Sequence, residues 1–189
     1  MGTGRVEAFS DGVIAVIATI MVLDLHVPHE ATWAAFASLG PGLAIYAISY
    51  ATIGVMWMNH HHLLHGAQRA DAPLMWANLG LLFTMSLVPF ATAWVAEAFG
   101  MPTPVALYGL VLFACSIAYA ALAAAIAFQQ IAGEGAGNPV LRSFARKGTI
   151  VGVLYLVAIP LAYVSVLISY AIFVCVLLLY ALPDRRLTA

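Results

Sequence analysis

Charge is what this chain has least of. Only 8% of its 189 residues are Asp, Glu, Lys or Arg, against 64% hydrophobic residues. A soluble domain carries about 25% charged residues, so this composition excludes an ordinary water-soluble fold and places the chain in lipid. Its formal net charge of -1 leaves no basic surplus to hold nucleic acid. Cysteine is almost missing as well. Cys115 and Cys175 each lie inside an apolar run, which excludes a disulfide framework and reads as two buried small hydrophobes. The first apolar stretch is not closed by an A-x-A site, so no cleavable signal peptide is expected. No G-x-S-x-G elbow and no phosphate-binding Gly-rich loop occur, and the reading is of a protein that is not an enzyme. A TVGYG-type segment is absent too, which excludes an ordinary pore-loop channel.

What the chain does have is a series of long apolar runs. A helix needs about 20 apolar residues to cross a bilayer. The runs predict an all-α membrane protein forming one domain over 1–189, with six transmembrane helices near 4–27, 32–62, 73–98, 104–130, 147–163 and 165–182. The last two come from one block, Gly148 to Leu182, too long for a single span. Pro160 removes a backbone donor near its middle and Ser165 offers a turn, so a tight helical hairpin is expected there. The linker from Ile131 to Gly148 has a Gly-rich start, an Asn-Pro and a basic end, and reads as a loop held on one side of the membrane.

The few cations then set the topology. Arg5, Arg69, Arg142, Arg146, Lys147, Arg185 and Arg186 all fall on one side under six spans, while the opposite loops, near 28–31 and 99–103, have none. Positive charge marks the cytoplasmic face, so a multi-pass protein of the cell membrane with both termini cytoplasmic is expected. A five-span fold would send Arg185 and Arg186 outside.

The first run, RVEAFSDGVIAVIATIMVLDL from Arg5 to Leu25, holds the most information. Arg5, Ser10 and Asp11 stand at the mouth of an apolar helix, where polar groups are costly unless partnered. At about 100° per residue, Val16, Ile20, Leu23 and Val27 share one face with Thr19 on its flank, while Asp11 and Ser10 lie about 140° and 120° from Val16 on either side. The apolar stripe and the polar pair therefore face different surfaces. A second cluster, MWMNHHHLLH from Met56 to His65, ends the second helix. His61 and His65 have i, i+4 spacing, as helical metal ligands can. Two ligands do not close a site, and Asp71 is the sole nearby carboxylate weighed for it, so no metal is assigned. Hydrogen bonding is the reading preferred: Asn59, His60 and His61, with Asn78 of the third helix, are at the right end to satisfy Ser10 and Asp11. Trp57 equally suits an interfacial anchor.

R-x-x-x-F-S-D, here Arg5, Phe9, Ser10 and Asp11, resembles the signature of the transmembrane protein 175 family, the endolysosomal potassium channels and their prokaryotic relatives. W-x-N-H-H at Trp57, Asn59, His60 and His61, and N-L-x-L-L from Asn78 followed by Pro89, are similar to that family's second and third helices. The resemblance implies a prokaryotic kind of member, with one six-helix unit per chain in a homotetramer. It implies a central pore lined by the first helices with no pore loop, conducting potassium selectively or preferentially among monovalent cations, without a cofactor. The narrowest ring in the family falls five positions after the signature aspartate, here Val16, with further apolar rings at Ile20 and Leu23 and a selectivity-linked hydroxyl at Thr19. Val16 departs from the bulkier Ile or Leu common there. The Arg–Ser–Asp group is implied to hold the helix in place.

Rings of aliphatic side chains offer a cation no ligands and would gate by closure and dewetting. Proton permeation alongside potassium is left open by this design. The alternative is a proton-coupled secondary transporter using Asp11, Asp24 and the histidine cluster. The repeats and broken helices of such carriers are not evident in the sequence, and Asp11 and Asp24 stand thirteen residues apart, about 20 Å along a helix.

Overall fold

The computed structural model describes the backbone of residues 2–134 and 139–181 and the side chains of residues 2–130 and 148–180. Every element among them is helical. Helix α1, Thr3–Ile20, tightens into a 3-10 turn at Met21–Asp24. Leu25 is extended, and Pro28 keeps its predecessor out of helical geometry, so the first run ends short of Val27.

The second run is two helices, α2 (Trp33–Ser38) and α3 (Gly40–Leu64), where one span over 32–62 is expected from sequence. Pro41 explains the break. Its ring would collide with the carbonyl of Ala37, whereas at the start of a new helix its missing N–H costs nothing. The third run divides in the same way into α4 (Ala72–Ser86) and α5 (Val88–Glu97), with Pro89 just inside α5. Gly100, at a φ of 83°, turns the chain into α6, Pro102–Glu134. Helix α7, Pro139–Leu161, stops one residue after Pro160. The Val164 and Ser165 amides both donate to the Leu161 carbonyl, at 3.0 and 2.8 Å, and close a tight reversal into α8, Val166–Ala181.

Four helical stretches among the described residues are long and apolar enough to cross a membrane: Thr3–Asp24, Gly40–Leu64, Ala72–Glu97 and Pro102–Gln130. The described side chains of α7 and α8 add two further apolar stretches, Gly148–Leu161 and Val166–Tyr180. The linker expected over 131–148, with Arg142, Arg146 and Lys147, and the pair Arg185 and Arg186 fall outside the described side chains.

Packing places an aliphatic core between α3, α4, α5 and α6, with Ile53, Leu74, Met85, Val88, Leu112, Leu122 and Ile126 sealed from solvent. Most polar groups inside are paired; His60 Nδ1 and the Tyr170 hydroxyl are not, among the described residues. Ser49 of α3 bonds the Tyr108 hydroxyl of α6 and the Thr92 hydroxyl of α5, both at 2.9 Å. Gln129 of α6 accepts from the Gln68 and Arg69 amides and donates to the Arg69 carbonyl, fixing the α3–α4 loop. Outside, the surface stays apolar, with Trp33, Trp76, Phe83, Phe90, Phe128 and Leu167 exposed. A water-facing surface would not carry so many large hydrophobics; lipid accepts them. Cys115 is buried and Cys175 is exposed on α8, so only the first behaves as the core residue expected of both; neither is in a disulfide.

Candidate functional site: the two faces of the first helix

One face of α1 is turned inward. Val6, Ser10, Ile14, Ile17 and Met21 are buried at successive steps of four, four, three and four residues, which is one helix face. Ser10, at 0% exposure, is the polar member. Its hydroxyl donates to the Val6 carbonyl at 2.8 Å, the acceptor one turn back in its own helix. With that proton committed, Ser10 Oγ accepts from Asn78 Nδ2 of α4 at 2.9 Å. The other end of the amide, Oδ1, then faces His60 Nε2 of α3 at 2.7 Å, so this nitrogen carries the proton and donates. The opposite nitrogen, His60 Nδ1, is buried without a hydrogen-bond partner among the described residues. Three helices are thus joined by one directional chain from His60 through Asn78 and Ser10 to a peptide carbonyl.

Asp11 sits half-buried beside this chain and accepts from Trp57 Nε1 of α3 at 2.8 Å. Trp57 stacks in turn on His61, ring centroids 6.2 Å apart. Of the partners expected from sequence, Asn78 reaches Ser10 directly and His60 stands one link behind it. His61 bonds Glu7 of α1 through Nδ1 at 2.8 Å, not Asp11, and His65 Nε2 lies 3.9 Å from the same carboxylate oxygen. The Asn59 side chain makes no hydrogen bond to Ser10 or Asp11; the residue lines a partly open cavity with Thr52, Tyr119 and Tyr155, and its backbone carbonyl accepts from the Tyr119 hydroxyl at 3.1 Å. Arg5 and Phe9 are exposed, and Arg5 has no ion-pair partner among the described residues. Asp71 belongs to neither cluster. It caps α4 by accepting from the Leu74 amide at 3.2 Å and pairs with Arg69 at 3.2 Å. The Leu74 hydrogen bond, aided by Arg69, holds its carboxyl below the usual carboxylate range.

Two contacts escape the sequence reading, the Trp57 indole on Asp11 and the Glu7 carboxylate on His61. A signal for Glu7 exists: residues 7, 10 and 11 are related by i, i+3 and i+4 and share a side of the helix.

The outward face of α1 is aliphatic. Val16 is 61% exposed, Ile20 47% and Leu23 77%. Thr19 is exposed among them, its hydroxyl within 2.8 Å of the Ala15 carbonyl and 3.1 Å of the Val16 carbonyl. Because that proton stays with the helix backbone, the oxygen lone pairs are what Thr19 presents outward. Asp24 is exposed in the 3-10 turn at the far end of the helix, so the fold does not bring Asp11 and Asp24 together. One helix therefore has an anchored side that carries Ser10 and an apolar side that nothing among the described residues covers.

Comparison with known proteins shows the family. Residues 5–89 match the family model described as endosomal/lysosomal potassium channel TMEM175. A potassium channel of Chryseobacterium sp. is 36% identical over 189 residues, covering 99% of this chain and 96% of the relative. The human endosomal/lysosomal proton channel TMEM175 is 38% identical over 95 residues, 44% of this chain and 18% of its own length. Among solved structures, a lysosomal potassium-selective channel TMEM175 homolog from Chamaesiphon minutus superposes with a TM-score of 0.84 at 29% identity, over 95% of this chain and 96% of that one. The chain belongs to the TMEM175 family, a family of channels and not of enzymes.

Proposed function

We propose that this chain is a potassium-preferring cation channel of the cell membrane, a homotetramer whose four copies of α1 surround a central pore. Each subunit crosses the membrane six times, α7 and α8 included, with both termini in the cytoplasm. Val16, Ile20 and Leu23 form aliphatic rings that close the pore by dewetting. Thr19 oxygens, with lone pairs turned outward, supply the only side-chain ligands in the constriction. Preference for potassium over sodium follows from the smaller dehydration cost of the larger ion, and so is modest.

The observation that carries this reading is the bare aliphatic stripe on α1, set opposite a face locked into the subunit by Ser10, Asn78 and His60. A helix anchored on one side and bare on the other is suited to meeting its own copies around an axis. The anchor explains how such a helix keeps its stripe in register without charged residues in the pore.

Reconstitution in potassium-loaded liposomes provides the test. Potassium efflux that exceeds sodium efflux under matched gradients is expected. Protein that incorporates as a tetramer yet passes no potassium at any voltage would overturn the proposal.

A further inference from the structure

Glu7, His61 and His65 each offer one ligand atom, and the three atoms lie within 4.8 Å of one another. We propose that they form a zinc-binding clamp between the first turns of α1 and the last turn of α3. Its effect on conduction rests on the pore reading above; its existence does not.

The geometry of the two histidines is the strongest argument. His61 Nδ1 meets Glu7 at 2.8 Å, so that nitrogen is the protonated one and Nε2 carries the lone pair. His65 Nε2 lies 3.1 Å from His61 Nε2, and only one proton fits between two such nitrogens. A cation can replace it. Zinc bonds imidazole nitrogen at about 2.0–2.1 Å, which makes the edge of a tetrahedral site about 3.3 Å, close to the spacing already present. The Glu7 oxygen that holds His61 Nδ1 stands on the far edge of that ring from Nε2, so Glu7 ligates by a side-chain turn that gives up this hydrogen bond. It lies 3.9 Å from His65 Nε2 and then completes a set of two imidazoles and a carboxylate, with water in the fourth position. His61 and His65 side chains are 41% and 63% exposed, so an ion can reach the site and the rings can turn to close it. Two formal cations lie near in sequence: Arg69 is engaged by Asp71, and Arg5, two residues before Glu7, is exposed and makes no ion pair among the described residues.

This revises the sequence reading, in which the histidine run lacks a third ligand. The carboxylate comes from a different helix. A bound ion would join α1 to α3 by coordination, a few residues from the Ser10 anchor, and would hold the start of α1 in place.

The test uses the full chain, purified in detergent and stripped of metal by a chelator. Zinc alone is titrated by calorimetry and by thermal unfolding. One zinc per chain and a raised unfolding midpoint are expected. His65→Ala and Glu7→Gln should each weaken zinc binding at least tenfold while leaving the metal-free midpoint near that of the wild type. His62→Ala, whose ring bonds the Met58 carbonyl instead, should bind like the wild type. Absence of saturable binding would overturn the clamp. So would affinity unchanged in a His61→Ala/His65→Ala double variant, which would place the ion elsewhere, for instance among His26, His29 and Glu30 at the opposite end of α1.

Discussion

Asn78 is the residue on which the inward face of α1 depends, because its amide serves two buried groups at once. Replacing it with Ala leaves the buried His60 Nε2 donor without an acceptor, at about 1–3 kcal/mol, and takes from Ser10 Oγ the donor it accepts, though Ser10 keeps its bond to the Val6 carbonyl. Ser10→Ala removes one end only and leaves the His60 bond intact. Unfolding in detergent should therefore show Asn78→Ala as clearly the more destabilising; equal losses would mean that the links act independently. The same amide bears on the carrier alternative. A proton path needs every link to accept and release a proton, and an amide does not do so readily, so this run of hydrogen bonds is suited to fixing α1 and not to passing protons. On the outward face, Val16→Asn places a wettable group in the proposed constriction and should raise potassium leak in liposomes; an unchanged rate would move the gate away from position 16. Candidate polar residues such as Ser10, His60 and Asn78 were legible in the sequence because charge and polarity are so scarce. Their pairing was not legible. Helical period says which residues share a face but not which helix that face meets, and the indole of Trp57 looks as suited to a lipid headgroup as to Asp11.

At the scale of elements, prolines carry most of the legible information and also most of the surprises. Pro160 and Ser165 mark the α7–α8 reversal from sequence alone. Pro41 and Pro89 break helices that their apolar runs present as continuous, since hydropathy counts side chains and is blind to one lost backbone donor. Helix contacts are set elsewhere by size. A methyl on Gly109 of α6 would stand 3.3 Å from Phe173 of α8 and 3.4 Å from Ile159 of α7, so Gly109→Leu should wedge three helices apart and cost about 1–3 kcal/mol, measured by thermal unfolding. Asp71 gives α4 a pH dependence. Its folded-state titration lies below the unfolded one, so its contribution is fully present above the unfolded carboxylate range and disappears as pH falls through the folded value. The stability gap between wild type and Asp71→Ala should be constant near neutral pH and close in strong acid; a gap that persisted there would assign the cap to something other than charge.

For the whole molecule, the arrangement of copies is the quantity to measure. If α1 lines a fourfold axis, Val16→Cys in a Cys175→Ser background should cross-link subunits under mild oxidation, because the remaining thiol, Cys115, is buried. Cross-linking of exposed lipid-side positions such as Leu167 with equal ease would argue against a privileged axis. The break at Pro41 has its own consequence. It leaves α2 as a helix of six residues, too short to span the bilayer, with Trp33 and Phe36 exposed and set edge to face at 6.1 Å. Such aromatic rings settle at the boundary between headgroups and water. α2 then acts as a float that sets how deep each subunit rides. The tryptophan fluorescence that Trp33→Phe removes should be quenched by lipids brominated near the headgroup and not by lipids brominated at the bilayer centre.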